Sequence, residues 1–251
     1  MAGYSLWVLE YASQTRVSSG DILYGLHDGP ARRMPYCYVV LRSKSHVAMV
    51  DVGYNHVDHG GALAVSYGVE HWHDPKRVLA LCGLRPEDVG TVFVTHAHFD
   101  HFGNVEAFPN AHFYIARREI ERSVWALSQP ERLRFLAVAI DPGDLTRAAA
   151  LAAAGRLTLV DRDLEDVLPG IDLHLAPDTH IEAKLWVSGA RCRSIPGRTS
   201  SRSLSTNVSR PAAASAAARV RSPGSMATAR NRRRSGWDSA QTDRSISCRA
   251  I

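Results

Sequence analysis

Thr95-His96-Ala97-His98-Phe99-Asp100-His101 puts three imidazoles and a carboxylate within six positions. The stretch grows out of Thr91-Val92-Phe93-Val94-Thr95, a short apolar and β-branched run that reads as a buried strand. A strand that ends in a tight loop projects alternate side chains toward one point. Imidazoles spaced i, i+2 then share one metal ion and leave Asp100 and His101 for a second. Imidazole together with carboxylate suits Zn²⁺, with Mn²⁺ or Fe²⁺ as alternatives, rather than Ca²⁺ or Mg²⁺. The competing reading is a chance cluster of polar loop residues. The order H-x-H-x-D-H at a strand terminus argues against it.

Working outward, Tyr4–Glu10, Tyr36–Leu41 and Val47–Asp51 read as strands, the last two joined as a hairpin through Arg42–His46. Helical character runs from His59 to Leu84, with Pro75 in a first turn and Gly83 as a stop. After the motif, Phe102–Phe108 reads as a helical turn or two and Ala111–Ile115 as a strand. Arg117–Leu127 and Glu131–Ile140 read as helices, and Leu157–Val160 and Ile171–Leu175 as strands around a Pro169-Gly170 turn. Strands in mostly antiparallel order, interrupted by helices, predict an α+β fold with a sheet-on-sheet core and helices outside.

The motif resembles the T-H-x-H-x-D-H signature of the metallo-β-lactamase superfamily, met in full by Thr95–His101. Val50-Asp51-Val52-Gly53 resembles the family's D-T-G or D-V-G turn, whose Asp orients the motif from behind the ligands. Gly103–Ala111 resembles the segment after the motif in lactonase-like members. Ala176-Pro177-Asp178-Thr179-His180 resembles the segment that bears the next ligand. The resemblance covers roughly Gly3 to His180 and is closest to the N-acyl homoserine lactonase branch. It implies an αββα sandwich and a ligand set of His96, His98 and His180 on one metal and Asp100 and His101 on another. It further implies one or two zinc ions, a catalytic role for Asp100, and attack by a metal-bound hydroxide on a small-molecule lactone or ester. An iron-dependent oxidoreductase on the same fold is the alternative enzyme.

The departure from the family pattern is equally specific. A complete two-metal site needs a bridging Asp and a final His, yet no histidine follows His180, and Asp238 and Asp243 lie in an Arg/Ser tract without strand character. Of 30 Lys+Arg and 25 Asp+Glu, 14 and three lie after Ile181, which leaves 16 and 22 before it. The front is therefore acidic and the basic pI belongs to the tail, so charge does not mark a nucleic-acid enzyme. Residues 1–181 are expected to form a hydrolase core, incomplete at its C-terminal side. Residues 182–251, rich in Arg, Ser and Ala, are expected to be disordered or the product of a shifted reading frame. Codons for Ser245–Ile251, read two nucleotides late, can spell His-Leu-Val-Pro-Gly-His. An inactive truncated or frameshifted product is thus a further alternative. Neither a secretory leader nor a membrane-spanning run is legible, and the four scattered cysteines suggest reduced thiols, so a cytoplasmic protein is expected. His71 and His73 read as partly exposed residues flanking a helix, with an extra metal pair or a substrate-lid contact as the alternative; His112, His174 and Asp178 read as structural, and His27 as part of a turn.

Overall fold

The computed structural model describes residues 3–22, 29–176, 184–188, 191–192 and 248–250. His27, Asp178 and His180 lie outside the described residues, as does nearly all of the tail. Every described residue belongs to one compact unit, made of Met1–Gly197 and Ile246–Ile251.

The strands are β1 (Gly3–Val17), β2 (Arg32–Arg42), β3 (Val47–Val50), β4 (Val69–Glu70), β5 (Thr91–Phe93), β6 (His112–Ala116), β7 (Leu157–Val160), β8 (Leu164–Leu168), β9 (Ile171–Ala176), β10 (Lys184–Ser188), β11 (Arg191–Cys192) and β12 (Cys248–Ala250). The helices are α1 (Ser19–Ile22), α2 (His59–Ser66), α3 (Pro75–Leu79), α4 (Phe99–Phe102), α5 (Arg117–Leu127) and α6 (Pro142–Ala153). A large sheet runs in the order β11-β1-β2-β3-β5-β6-β7, with β4 and β12 also on β1, and a second sheet has the order β10-β9-β8.

The expected antiparallel order holds for only half of the large sheet. β1, β2 and β3 pair antiparallel, Arg42 opposite Val47 across the predicted hairpin. From β3 onward the pairs β3-β5, β5-β6 and β6-β7 are parallel. The reason lies in the connections. Parallel neighbours need a crossover, and the helical segments between these strands supply it.

Two cores flank the large sheet. On one face Leu9, Tyr38, Val40, Met49, Val92 and Phe113 pack with helix residues such as Val78, Leu79, Ala148 and Leu151. On the other, Tyr4, Leu41, Ala48, Phe93 and Val160 meet Ile171, Leu173 and Leu185 of the second sheet. This alternation along each strand produces the sheet-on-sheet core with helices outside. The strand β10 pairs along the whole of Asp172–Ala176 and so carries the second sheet past residue 181, where the sequence pattern had ended the core. Among the described residues no helix is long and apolar enough to cross a membrane.

Among the elements that the sequence pattern missed are helix α6 and strand β8. Helix α6 opens on Asp141, whose carboxylate accepts from the Gly143 amide at 2.8 Å, with Pro142 in the first turn. Strand β8 pairs with β9 around Leu168 and Ile171, the two sides of the Pro169-Gly170 turn. The predicted helix 131–140 is instead a shorter, more tightly wound 3-10 segment, Glu131–Ala137.

Candidate metal centre

Parallel strands β3 and β5 end side by side, and the site is built where they stop. Val50 is in register with Phe93, and the next amide, that of Asp51, donates to the Phe93 carbonyl at 3.0 Å. Asp51 then adopts a left-handed backbone, φ 61°, which turns the chain and aims its carboxylate across at the motif. That carboxylate accepts from the Thr95 amide at 2.7 Å, from the Thr95 hydroxyl at 2.9 Å and from Nδ1 of His101 at 2.7 Å. One side chain thus ties down both ends of the seven-residue stretch.

These bonds fix which nitrogens remain available. An ionised carboxylate only accepts, so Nδ1 of His101 carries a proton in either state of the ring, and Nε2 is the nitrogen at which a metal would take the place of a proton. The Thr95 hydroxyl has one proton, and Asp51 takes it. Its oxygen, 3.0 Å from Nδ1 of His96, is then the acceptor there, and Nε2 of His96 is likewise the nitrogen left for a metal. Thr95 is therefore a relay that sets the His96 tautomer through Asp51.

The four predicted ligands that lie within the motif come together. The rings of His96 and His101 are 3.9 Å apart between centroids, and those of His96 and His98 4.6 Å. Nε2 of His101 stands 3.4 Å from Oδ2 of Asp100. The expected loop is partly helical: Asp100 and His101 sit in the single turn α4, which His98 precedes in extended conformation. That switch turns the second pair of donors away from the line of the first.

Electrostatics follow the geometry. Burial pulls the His101 pKa down, but the carboxylates of Asp51 and Asp100 outweigh it and raise the group to about 10. Burial pushes the Asp100 carboxyl up, and His101 and His98 more than offset that, leaving it below the usual carboxylate range. Both signs mark a site arranged for opposite charges in close contact.

Backbone contacts from four further elements hold the motif. The Tyr11 hydroxyl on β1 donates to the Asp100 carbonyl at 2.8 Å. The Val52 amide donates to the His101 carbonyl at 2.9 Å, the Phe99 amide to the Ala139 carbonyl at 2.9 Å, and the Leu185 amide of β10 to the Thr95 carbonyl at 3.1 Å. The Ala97 amide donates to the carboxylate of Glu119 on α5 at 3.2 Å. Glu119, only 2 % exposed, had no place in the sequence reading.

The donors fit a metal ion in kind and orientation. Imidazole nitrogens and a carboxylate oxygen are the groups that divalent transition metals take, and His96, His101 and Asp100 are each positioned by a hydrogen bond at Nδ1 or by an ionic neighbour. Among the described residues no three such side chains form a complete set for one ion. What they form is two pairs, His96 with His98 and Asp100 with His101. His71 and His73 lie apart from this group: His71 faces Glu70 at 3.6 Å, and the His73 amide is bonded to the Tyr11 carbonyl at 2.7 Å. His112 and His174 bond Thr158 and Ser188 within their sheets, each at 2.8 Å.

A family model described as the metallo-beta-lactamase superfamily matches residues 30–191. The chain belongs to that superfamily. Among solved structures, a quorum-quenching N-acyl homoserine lactone lactonase is similar over 74 % of this chain and 68 % of its own, at TM-score 0.53 and 18 % identity. A probable metal-dependent hydrolase from Staphylococcus aureus is similar over 74 % and 69 %, at TM-score 0.54 and 17 % identity. Identities this low speak for the superfamily fold alone. In sequence, 59 residues are 37 % identical to probable metallo-hydrolases of Mycobacterium tuberculosis and Mycobacterium bovis, over 24 % of this chain and 19 % of theirs. The match thus spans about a fifth of the length of these curated relatives. Superfamily membership implies divalent metal ions, and together with these likenesses it supports a metal-dependent hydrolase.

Proposed function

We propose that this chain hydrolyses a lactone or ester bond in a small molecule. His96 and His98 hold one zinc ion, joined by His180, and Asp100 and His101 contribute to a second. The assignment of His180 rests on the Ala176–His180 sequence segment. The observation that carries the reading is the double use of Asp51. Directly at His101 and through Thr95 at His96, it occupies Nδ1 of two neighbouring rings and leaves Nε2 of each as the nitrogen that would take a metal. A dizinc quorum-quenching lactonase shares the fold at TM-score 0.50, which favours zinc and a lactone.

When bound, the metal supplies Lewis acidity toward a carbonyl oxygen and lowers the pKa of water from 15.7 to about 7. The chain's own residues do the rest. Asp51 holds the proton on Nδ1 of His101 and, through Thr95, on Nδ1 of His96, so that Nε2 is the nitrogen each ring would give to a metal. Asp100 has the catalytic assignment: it is the one carboxylate of the motif, and His101 and His98 keep it ionised at neutral pH. Tyr11, Val52 and Ala139 fix the backbone that carries it.

The test is turnover of a panel of lactones and aryl esters by the protein before chelation, after chelation, and after re-addition of Zn²⁺, beside His101→Ala. The reading expects turnover that chelation removes, zinc restores and His101→Ala lacks. Turnover that survives both chelation and the substitution would overturn it.

A further inference from the structure

We infer that Glu119 is a positioning residue for the His96–His98 pair. Its buried carboxylate holds the amide of Ala97, the one residue between the two imidazoles, and so sets the direction in which both leave the backbone. The inference rests on the reading of His96 and His98 as metal ligands.

Three amides of the stretch, at alternate residues, are all taken by elements outside it. Thr95 N–H goes to Asp51, Ala97 N–H to Glu119 and Phe99 N–H to the Ala139 carbonyl. The chain leaves β5 at Phe93 and bends at Thr95 and His98, and the His96 and His98 rings stand 4.6 Å apart between centroids. Fixing these amides fixes the backbone from which both rings leave. Two of the three anchors are side-chain carboxylates, Asp51 at 2.7 Å and Glu119 at 3.2 Å. Ala97 itself is buried, 2 % exposed, so its methyl group is locked into the core and the backbone there cannot pivot freely.

The place of Glu119 on its own helix argues for this task over a local one. It is the third residue of α5, three after the N-cap Ala116. A glutamate there ordinarily reaches back to the N-cap amide of its own helix. Here it reaches 22 residues upstream, into the motif. A buried carboxylate is costly unless it is hydrogen-bonded, and Ala97 N–H supplies such a bond.

The experiment titrates Co²⁺ into the full-length protein and follows both affinity and the visible d–d spectrum, with thermal midpoint recorded in parallel. The variants are Glu119→Gln, Glu119→Asp and Glu119→Ala, with His98→Ala as the control. Gln keeps an acceptor oxygen at the same reach and is expected to bind Co²⁺ within about threefold of wild type with the same spectrum. Asp keeps the charge and loses the reach. It is expected to lose about tenfold or more in affinity and to shift the spectrum. Ala is expected to behave as Asp does; should it fail to fold, the Gln and Asp pair carries the comparison. Wild-type affinity and spectrum in Glu119→Asp, or a Gln variant as impaired as Asp, overturns the inference while His98→Ala still fails to bind. If His98→Ala itself binds Co²⁺ like wild type, the ligand assignment falls, and this inference with it.

Discussion

The carboxylate of Asp51 accepts Nδ1 of His101 at 2.7 Å across fifty residues of sequence, and it is also the acceptor for Thr95 at the other end of the motif. Asp51→Ala removes one group and strands three donors. Metal affinity is expected to fall about 10–100-fold, the usual consequence of removing a carboxylate behind a ligating histidine. Asp51→Asn keeps one acceptor oxygen, and Asn tolerates the left-handed backbone at φ 61°. It should fall between wild type and Ala. Calorimetric titration with Zn²⁺ measures this, and an Ala variant that binds as wild type contradicts it.

Gly53 follows two residues later with φ +75°, and a Cβ there would lie 2.9 Å from ring atoms of both Tyr11 and Tyr38. Those rings are buried and stacked at 4.4 Å, so neither can swing aside. Gly53→Ala combines left-handed strain with overpacking and is expected to cost roughly 2–4 kcal/mol. Gly83 has a similar φ, +66°, with nothing within 4 Å of a Cβ. Gly83→Ala should cost only about 1–2 kcal/mol. Denaturant melts of the two variants should therefore separate. Equal losses would mean that the tyrosine pair yields.

A pH dependence is written into the start of α6. Arg147 donates to Asp144 at 3.0 Å and to Asp58, the N-cap of α2, so that it links the two helix starts. Buried oxygens of Asp141 and Asp144 have no hydrogen-bond partner among the described residues. Burial and the Asp141 carboxylate raise Asp144 to about 8, against the opposing pull of Arg147. From about pH 4 to about pH 8 the folded chain holds a proton there that the unfolded chain has released. Stability must then fall as pH rises through that window and level off above it. Asp144→Asn is expected to flatten that slope. An unchanged slope would assign the proton elsewhere.

Much of this was legible in the chain, for a physical reason. Thr95–His101 is a local pattern, and local patterns survive in one dimension: His96, His98, Asp100 and His101 do stand together. Glu119 was not legible, because a glutamate on an amphipathic helix looks like a solvated residue and its partner lies 22 positions away. One signal was available. Helix α5 begins at Arg117 behind Ala116, an N-cap with no side-chain cap of its own, and places the glutamate at its third position. Helix α6 was hidden by its alanines, which read as an apolar run, although Asp141-Pro142 is a strong start signal. The parallel half of the sheet was missed because β3, β5 and β6 are only three to five residues long and do not announce their direction.

The account's central claim is that Thr95–His101 is a metal centre, and metal content measures that most directly. Wild type, His98→Ala and His73→Ala would be loaded with Zn²⁺, dialysed exhaustively, and analysed for bound metal per chain. The account predicts about one tightly held ion in wild type and in His73→Ala, whose site lies apart from the motif, and none in His98→Ala. Zinc retained in full by His98→Ala would contradict it.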